Sequence, residues 1–369
     1  MTSRLALAAA FTLVACRSSG PPPSATAKGA SWPEADVLFH QDPLWLGADI
    51  AYSVDLGSGR VAWLFGDSFV ATSAAHLRSE SVLVRNSVAV QTGREPTSAT
   101  MQFAWGTAPG GAPASFFAER GDRWHWPGGG VRIPGGPLIV FLSIVRPEGG
   151  GPLGFASDGW RAAMVVNPDA PPTDWQLTFL EPPTQAFDAV VGTAVALDGD
   201  HVIALAASSQ GSHPAYLARF PVAALARGDL SSIAWWDGSQ WAEPGRLAGA
   251  PAVVIDEGAT EASLHRDTRL GLWIHLVSRG FGATTIAIRT APEVTGPWSA
   301  AGDVFTPPEA RAANPFVYAA KAHPELVAPG GALAVTYATN SFTFGDLFTP
   351  QGQQGLYWPR FVRLDLTPR

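Results

Sequence analysis

Apolar residues alternate with small or acidic residues along positions 50–56, and this two-residue period is typical of a β-strand with one buried face. Gly57-Ser58-Gly59 follows and suits a tight turn, because glycine adopts positive φ without strain. The next run, Val61 to Phe69, is apolar at nearly every position, which indicates a strand buried on both faces. The pattern predicts a β-hairpin, and two carboxylates bracket it: Asp49 at its entry and Asp67 at its exit.

Similar units recur along the rest of the chain. Each consists of a strand, a turn rich in Gly or Asp, a second strand, and a third strand that ends near an Arg and an aromatic residue. Comparable third-strand positions are Val165, Tyr216, Ile286 and Phe361. An interval of about 55–75 residues fits the four-stranded blades of a propeller. We therefore predict an all-β, five-bladed β-propeller over residues 32–369; a two-sheet sandwich is the alternative and would need more than one domain.

The composition supports β structure and narrows the partners. The chain has 39 Gly, 32 Pro and 14 Trp, and only 15% of its residues are charged, so long charged helical faces are nearly absent. The formal net charge is −7 and no basic patch is visible, which argues against nucleic acid as a partner. Gly128-Gly129-Gly130 lacks the lysine of a phosphate-binding loop, and we interpret it as flexible. We predict a monomer without a cofactor.

The N-terminal sequence predicts an export signal. Residues 5–14 are apolar but too few to span a bilayer, and they lead into Leu13-Val14-Ala15-Cys16, which resembles the bacterial lipobox. We predict a signal peptide at 1–15 and a flexible Ser/Pro/Ala/Gly-rich tether at 16–31. Acylated Cys16 would be the only membrane contact and would hold the protein in the bacterial cell envelope, at the outer membrane or cell surface. The alternative is a secreted protein with an incidental cysteine.

Six short motifs, in their order along the chain, carry a family resemblance. They are Gly47–Asp49, Trp63–Ser68, Asn86-Ser87, Glu261–Leu264, Gly296–Trp298 and His323–Leu326. Together they resemble a domain-of-unknown-function family of five-bladed propellers, which is grouped with glycoside hydrolases and includes endo-D-arabinanases. The resemblance to arabinanase and β-xylosidase propellers is more distant. The family resemblance implies a central funnel, where the innermost strand of each blade contributes its end to one pocket.

The resemblance also implies roles for three carboxylates. In arabinanase-type propellers an early aspartate is the general base, a middle aspartate tunes the acid, and a later glutamate is the acid. Asp49, Asp188 and Glu261 fall in that order, so we expect them in those roles, acting on a furanose-containing polysaccharide such as arabinan. The acid must keep its proton while the base stays ionised. Opposite sides of a funnel suit the wide carboxyl spacing of about 6.5–9.5 Å that inversion needs.

Other residues are candidates for contacts with sugar. They are Asp67, Asn86, Trp126, Phe187, His265, His323 and Trp358. Each carboxylate has a structural alternative in a turn or a solvated loop, and a Trp-rich chain uses most of its aromatic residues in packing. The histidines lack the close spacing of metal ligands, so no metal site is predicted. A non-catalytic propeller lipoprotein that binds a glycan or an envelope partner is the alternative function.

Overall fold

A computed structural model describes residues 24–149, 154–280 and 284–368. This part of the chain contains 26 β-strands and is all-β, as predicted. Two α-helices are short: α1 (Val222–Leu225) and α2 (Pro350–Gly355). The 3₁₀ helices span Pro33–His40, Arg78–Glu80, Pro172–Asp174, Pro244–Arg246, Pro308–Arg311, Pro329–Gly331 and Phe344–Phe348.

Five sheets contain four or five antiparallel strands each, numbered here in chain order. Sheet I contains β3 (Tyr52–Gly57), β4 (Arg60–Phe65), β7 (Ser87–Thr92) and β8 (Thr100–Ala104). Sheet II contains β11 (Trp124–Arg132), β12 (Leu138–Pro147), β13 (Phe155–Val165) and β14 (Leu177–Leu180). Sheet III contains β15 (Val190–Asp198), β16 (His201–Ala207), β17 (Ala215–Pro221), β18 (Ala234–Trp236) and β19 (Trp241–Ala242).

Sheet IV contains β20 (Ala262–Asp267), β21 (Leu272–Arg279), β22 (Thr285–Ala291) and β23 (Gly302–Phe305). Sheet V contains β24 (Pro315–His323), β25 (Leu333–Ser341), β26 (Arg360–Pro368) and β1 (Ala25–Ser31). The four residues predicted at third-strand positions lie in β13, β17, β22 and β26, which are the third strands of their sheets. The repeating pattern in the sequence therefore located these strands correctly.

Strand β1 corrects the predicted tether, which was placed at residues 16–31. Ala25–Ser31 pairs along its whole length with the C-terminal strand β26, so the two ends of the described chain share sheet V. Close packing explains the glycine of this strand, because a Cβ on Gly29 would lie 2.6 Å from the Cβ of Phe305. Small residues without alternation imitate a linker in sequence. Residues 1–23, including Cys16 and the predicted signal peptide, lie outside the described residues.

The first strands of the five sheets contact one another in a ring: β3, β11, β15, β20 and β24, with β24 returning to β3. Five apolar clusters fill the five interfaces between consecutive sheets, including the one between sheets V and I. Burial of these side chains between sheets is the main stabilising contribution.

The interpretation of Gly128-Gly129-Gly130 as a flexible loop is wrong. All three lie inside strand β11. A Cβ on Gly128 would be 2.4 Å from the carbonyl oxygen of Gly192 in β15, and one on Gly129 would be 2.9 Å from the side chain of Val195. Glycine is therefore needed because first strands of neighbouring sheets approach each other closely.

Two smaller sheets lie outside this ring. One contains β2 (Trp45–Ala48), β5 (Ser68–Ala71) and β6 (Ser81–Val84); the other contains β9 (Gly106–Thr107) and β10 (Pro113–Ala114). Strand β2 precedes the β3–β4 hairpin of sheet I and β5 follows it, so the three-stranded sheet continues that hairpin beyond its open end. This sheet carries Asp49 and Asp67 at its junction with sheet I.

Candidate active site

Asp49 and Asp67 lie side by side at the open end of the β3–β4 hairpin. The backbone N–H of Asp49 donates to the carbonyl oxygen of Asp67 at 3.4 Å, and the N–H of Gly66 donates to that of Asp49 at 3.2 Å. A Cβ on Gly66 would lie only 2.3 Å from Oδ1 of Asp49. The glycine of the Phe-Gly-Asp motif therefore makes room for the Asp49 carboxyl group.

The surroundings of Asp49 favour its protonated form. Oδ2 accepts hydrogen bonds from the hydroxyls of Tyr318 at 2.8 Å and Tyr357 at 3.3 Å, and Oδ1 is buried with no partner among the described residues. Burial and the negative charges of Asp67 and Glu261 raise the pKa of Asp49 well above its ordinary value. The two hydroxyls oppose this rise but do not cancel it. The three carboxyl groups therefore interact electrostatically in one site.

Asp67 has stronger partners for its charged form. Its Oδ1 accepts from the indole N–H of Trp126 at 2.8 Å, and its Oδ2 lies 3.1 Å from a guanidinium nitrogen of Arg85. Burial raises the pKa of Asp67, while the indole and the guanidinium work against that rise. Arg85 in turn stacks on the ring of Trp124, with its guanidinium carbon 4.5 Å from the ring centroid. Of two adjacent aspartates, the one beside the cation is the better anion.

Glu261 precedes strand β20 and forms an ion pair with Lys321, whose Nζ lies 3.0 Å from Oε2. Lys321 is 1% exposed, also donates to the carbonyl oxygen of Ala319 at 2.9 Å, and places its ammonium 4.4 Å from the ring centroid of Tyr52. Burial lowers the pKa of Lys321, whereas the charges of Glu261 and Asp49 act to raise it. A buried ammonium needs such an anionic partner.

A β-bulge in β24 brings Tyr318 and Lys321 to the same site. The register of β24 against β25 shifts between these two residues, and Ala319 has a φ of +57°. Without a bulge, residues three apart in a strand point to opposite faces; the extra residue turns both side chains toward the carboxyl groups. The backbone N–H of Ala320 donates instead to the hydroxyl oxygen of Ser278 at 2.9 Å.

Asp188 precedes strand β15, as predicted, but it is exposed. Its carboxylate accepts hydrogen bonds from the hydroxyl of Ser208 at 2.7 Å and the backbone N–H of Ser209 at 2.9 Å, which is a turn-capping arrangement. None of the groups that raise the pKa of Asp49 is Asp188. Its role in tuning an acid stays a prediction.

Three of the polar residues predicted to contact sugar are buried. Asn86 donates to the carbonyl oxygens of Phe117 and His125 and accepts from the backbone N–H of Phe117, so its amide is used within the protein. His323 uses both ring nitrogens, bonding the hydroxyls of Ser53 and Thr336, and burial lowers its pKa to about 3. His265 is also buried, and burial lowers its pKa to about 4. The structure thus buries all three side chains, and the polar groups of Asn86 and His323 are bonded within the protein.

The aromatic candidates divide in the same way. Trp126 belongs to the carboxyl cluster through its bond to Asp67. Phe187 packs on Trp235 in the core between sheets II and III. Trp358 is 6% exposed in another core cluster, and its indole N–H donates to a backbone carbonyl. The structure thus brings together Asp49, Asp67, Glu261 and Trp126 out of the residues predicted.

Sequence reasoning missed Tyr318, Tyr357, Lys321 and Arg85. One signal was available: the chain has only two lysines, Lys28 and Lys321, and Lys321 stands in an apolar run where a charge needs a partner. Among the described residues, no group of three or more His, Cys, Asp and Glu side chains could hold a metal ion. In the same part of the chain, no helix is long and apolar enough to cross a membrane.

A family model described as a domain of unknown function, DUF5005, matches residues 34–366. The chain belongs to this family. A crystal structure described as a "putative hydrolase" from Bacteroides ovatus ATCC 8483 is similar to this DUF5005 chain, with a TM-score of 0.70 and 17% identity. The similarity covers 92% of the DUF5005 chain and 90% of the Bacteroides ovatus chain. That likeness shows a shared fold. No curated protein matches the sequence.

Two solved glycosidases show a lower similarity. An exo-β-1,3-galactanase from Phanerochaete chrysosporium has a TM-score of 0.48 at 12% identity, over 92% of the DUF5005 chain and 64% of the galactanase. An endo-arabinase from Bacteroides thetaiotaomicron VPI-5482 has a TM-score of 0.44 at 12% identity, over 88% of the DUF5005 chain and 94% of the endo-arabinase.

Proposed function

We propose that this chain is a five-bladed β-propeller glycoside hydrolase that cleaves a polysaccharide by acid/base hydrolysis. The blade count is supported by the ring of five sheets and the five apolar interfaces between them. One observation carries the catalytic part: Asp49, Asp67 and Glu261 interact in one site, but among the described residues only Asp67 and Glu261 form an ion pair with a cation. Glycoside hydrolysis needs this division between a protonated and an ionised carboxyl group.

The surroundings favour an assignment that reverses the expected roles of Asp49 and Glu261. Asp49, whose pKa is raised, is the general acid that protonates the leaving oxygen. Glu261, paired with Lys321, is the base that activates water. Asp67 helps to keep the proton on Asp49, because its negative charge is the largest electrostatic contribution to that raised pKa. The tyrosine hydroxyls orient the acid through Oδ2.

Inversion and a furanose-containing substrate such as arabinan are part of the proposal. Asp49 and Glu261 influence each other through charge, yet no direct hydrogen bond joins their carboxyl groups. Inverting pairs (about 6.5–9.5 Å apart) and retaining pairs (about 5–5.5 Å apart) both lie beyond hydrogen-bond distance, and we propose inversion because carboxyl groups from different sheets of the ring suit the wider spacing. The anomeric configuration of the first product, followed by NMR, tests this step.

The deciding experiment measures reducing ends released from arabinan, xylan and galactan by the wild type and by four matched variants: Asp49→Asn, Asp67→Asn, Asp188→Asn and Glu261→Gln. We expect Asp49→Asn and Glu261→Gln to lower kcat by at least about 100-fold, because each removes a proton-transfer group. Asp67→Asn should shift the basic limb of the pH profile to lower pH, because the acid then loses its proton more easily. Full activity in Asp49→Asn would refute the assignment.

A non-catalytic glycan-binding propeller is the second candidate. It is favoured by the aromatic surroundings of Asp67, where the Trp126 ring lies 4.6 Å from that of Phe155 and 5.9 Å from that of Trp124. Such rings can bind the apolar faces of sugars without any chemistry. Binding of arabinan, xylan or galactan with no release of reducing ends would support this candidate over the hydrolase.

Attachment to the bacterial cell envelope through acylated Cys16 is also proposed, on the basis of the lipobox-like sequence at residues 13–16. Expression in a bacterium fed a radiolabelled fatty acid tests it. We expect the wild type to carry the label in the membrane fraction and Cys16→Ser to lose it. Labelling that persists in Cys16→Ser would contradict the proposal.

A further inference from the structure

Two exposed phenylalanines stand on a short 3₁₀ helix next to the carboxyl cluster. Phe344 is 51% exposed and Phe348 is 38% exposed, and their ring centroids lie 5.5 Å apart. Exposed aromatic side chains that adjoin one another are uncommon on a protein surface and mark a place where something binds. We call this pair the Phe platform.

The Phe platform is connected to Asp49 through two rings. The buried ring of Phe69 lies 6.5 Å from Phe344 and 5.7 Å from Phe348 between centroids, and 5.3 Å from the ring of Tyr357. The Tyr357 hydroxyl donates to Oδ2 of Asp49. The exposed platform and the proposed acid therefore belong to one continuous aromatic cluster.

A buried arginine holds this arrangement in place. Arg78, 1% exposed, donates to four backbone carbonyls: Leu46 at 2.9 Å, Leu347 at 3.2 Å, Gly352 at 3.2 Å and Leu356 at 2.7 Å. The Leu347 carbonyl lies between the two phenylalanines, two others follow the platform in the chain, and the Leu46 carbonyl precedes Asp49 by three residues. The contacts fix the platform relative to the site, so a ligand that binds it loses little free energy in ordering the protein.

The surrounding residues indicate the chemistry of the ligand. Residues 342–355 contain no Lys or Arg, and their single charge, Asp346, is bound by the Ser341 hydroxyl at 2.7 Å. Gln351 and Gln354 are exposed and offer amide groups. An anionic membrane surface or a phosphate would need cations here. Rings without charge, beside amides, suit a neutral ligand that has both apolar faces and hydroxyl groups.

We propose that the Phe platform is a stacking subsite for the sugar units of a neutral polysaccharide, adjoining the carboxyl cluster. The class of ligand rests on the proposed function, because a glycan is the substrate that the cluster would cleave. The subsite lengthens the stretch of polymer that the protein holds. It predicts that the protein prefers a polysaccharide to a short oligosaccharide.

Affinity electrophoresis in gels that contain arabinan, xylan or galactan tests the subsite in an Asp49→Asn background, where cleavage should not interfere. We expect Phe344→Ala and Phe348→Ala each to weaken retention about fivefold to tenfold, which corresponds to the loss of one stacked ring. Val327→Ala is the control. Val327 is 54% exposed and follows the C-terminal end of β24, so its truncation should leave retention unchanged. Thermal unfolding of each variant checks that the aromatic cluster still folds.

The outcomes separate this subsite from the hydrolase proposal. Unchanged retention in the Phe344→Ala/Phe348→Ala double variant, or no retention by any of the three polysaccharides, would overturn the subsite whatever the activity. Retention that depends on the phenylalanines, without release of reducing ends by the wild type, would support the subsite and refute the hydrolase. Co-sedimentation with phosphatidylglycerol vesicles that disappears in Phe344→Ala would instead identify a membrane contact and also overturn the subsite.

Discussion

Replacing Asp49 with Asn should change the way in which the stability of the protein depends on pH. Burial and the charges of Asp67 and Glu261 raise the pKa of Asp49 well above its ordinary value in the folded state. In the unfolded chain an aspartate titrates at about 3.9. Between these two pKa values the folded state holds a proton that the unfolded state has released. The stability contributed below the unfolded pKa is therefore lost as the pH rises toward the folded pKa.

The slope of this effect follows from linkage. When one proton is bound only in the folded state, the free energy of unfolding falls by about 1.4 kcal/mol for each unit by which the pH rises. Asp49→Asn removes that titration, and its amide oxygen can still accept from Tyr318 and Tyr357. Its N–H₂ group would face the site where Oδ1 now has no partner, at a cost of about 1–3 kcal/mol. That cost is the same at every pH, so it displaces the curve without changing its slope.

Urea unfolding at pH 5, 6 and 7 measures the difference between variant and wild type. If the Asp49 carboxyl group of the folded wild type stays protonated throughout, the stability of Asp49→Asn relative to the wild type should rise by about 2.7 kcal/mol between pH 5 and pH 7. Asp49→Ala is the control, because it removes the same carboxyl group without adding an amide. Its free energy of unfolding should depend on pH with the same slope as that of Asp49→Asn, but should differ from it by a constant amount. Parallel curves for the wild type and both variants would mean that Asp49 is ionised over this range and cannot be the acid.

Three further substitutions test other parts of the structure by urea unfolding. Lys321→Met should lower stability by about 2–4 kcal/mol, because it leaves Glu261 without its cation, and adding Glu261→Gln should restore part of the loss. Arg78→Lys should lower stability by about 2–3 kcal/mol and speed hydrogen exchange around the carbonyls it binds, since an ammonium cannot reach all four. Gly128→Ala should cost about 1–3 kcal/mol, whereas Gly245→Ala, with nothing within 4 Å of the added Cβ, should cost little.

The strands that could be predicted from the sequence are those whose pattern is local. The β3–β4 hairpin followed from alternation and from Gly57-Ser58-Gly59, all of which have positive φ in the structure. Strand β1 could not be predicted in this way, because it forms by pairing with the other end of the chain and its Gly29 is required by contacts with Phe305 and Leu364. The glycines of β11 were misread for the same reason: the neighbour that excludes a Cβ lies in another sheet.

The site shows the same division between local and distant contacts. The candidate carboxylates Asp49 and Glu261 could be chosen from motifs near the starts of strands. Their partners Tyr318 and Lys321 come from sheet V, and a bulge at Ala319 decides that both face the site. A bulge changes which face a residue occupies without leaving a period that sequence reasoning can detect. The electrostatic roles of the carboxylates therefore could not be predicted from sequence.

The contact between Asp49 and Asp67, in contrast, is a consequence of the hairpin itself. Asp49 precedes Ser58 by nine residues and Asp67 follows it by nine. The register pairs Tyr52 with Leu64, and the same register continued outward pairs Ala48 with Ser68, which places the two aspartates opposite each other. Burial and then the charge of Asp67 raise the pKa of Asp49, so ionisation of one carboxyl group opposes ionisation of the other. The turn therefore determines that the two carboxylates are neighbours, whereas burial of Asp49 and the Arg85 guanidinium beside Asp67, which favour the proton on Asp49, depend on residues outside the hairpin.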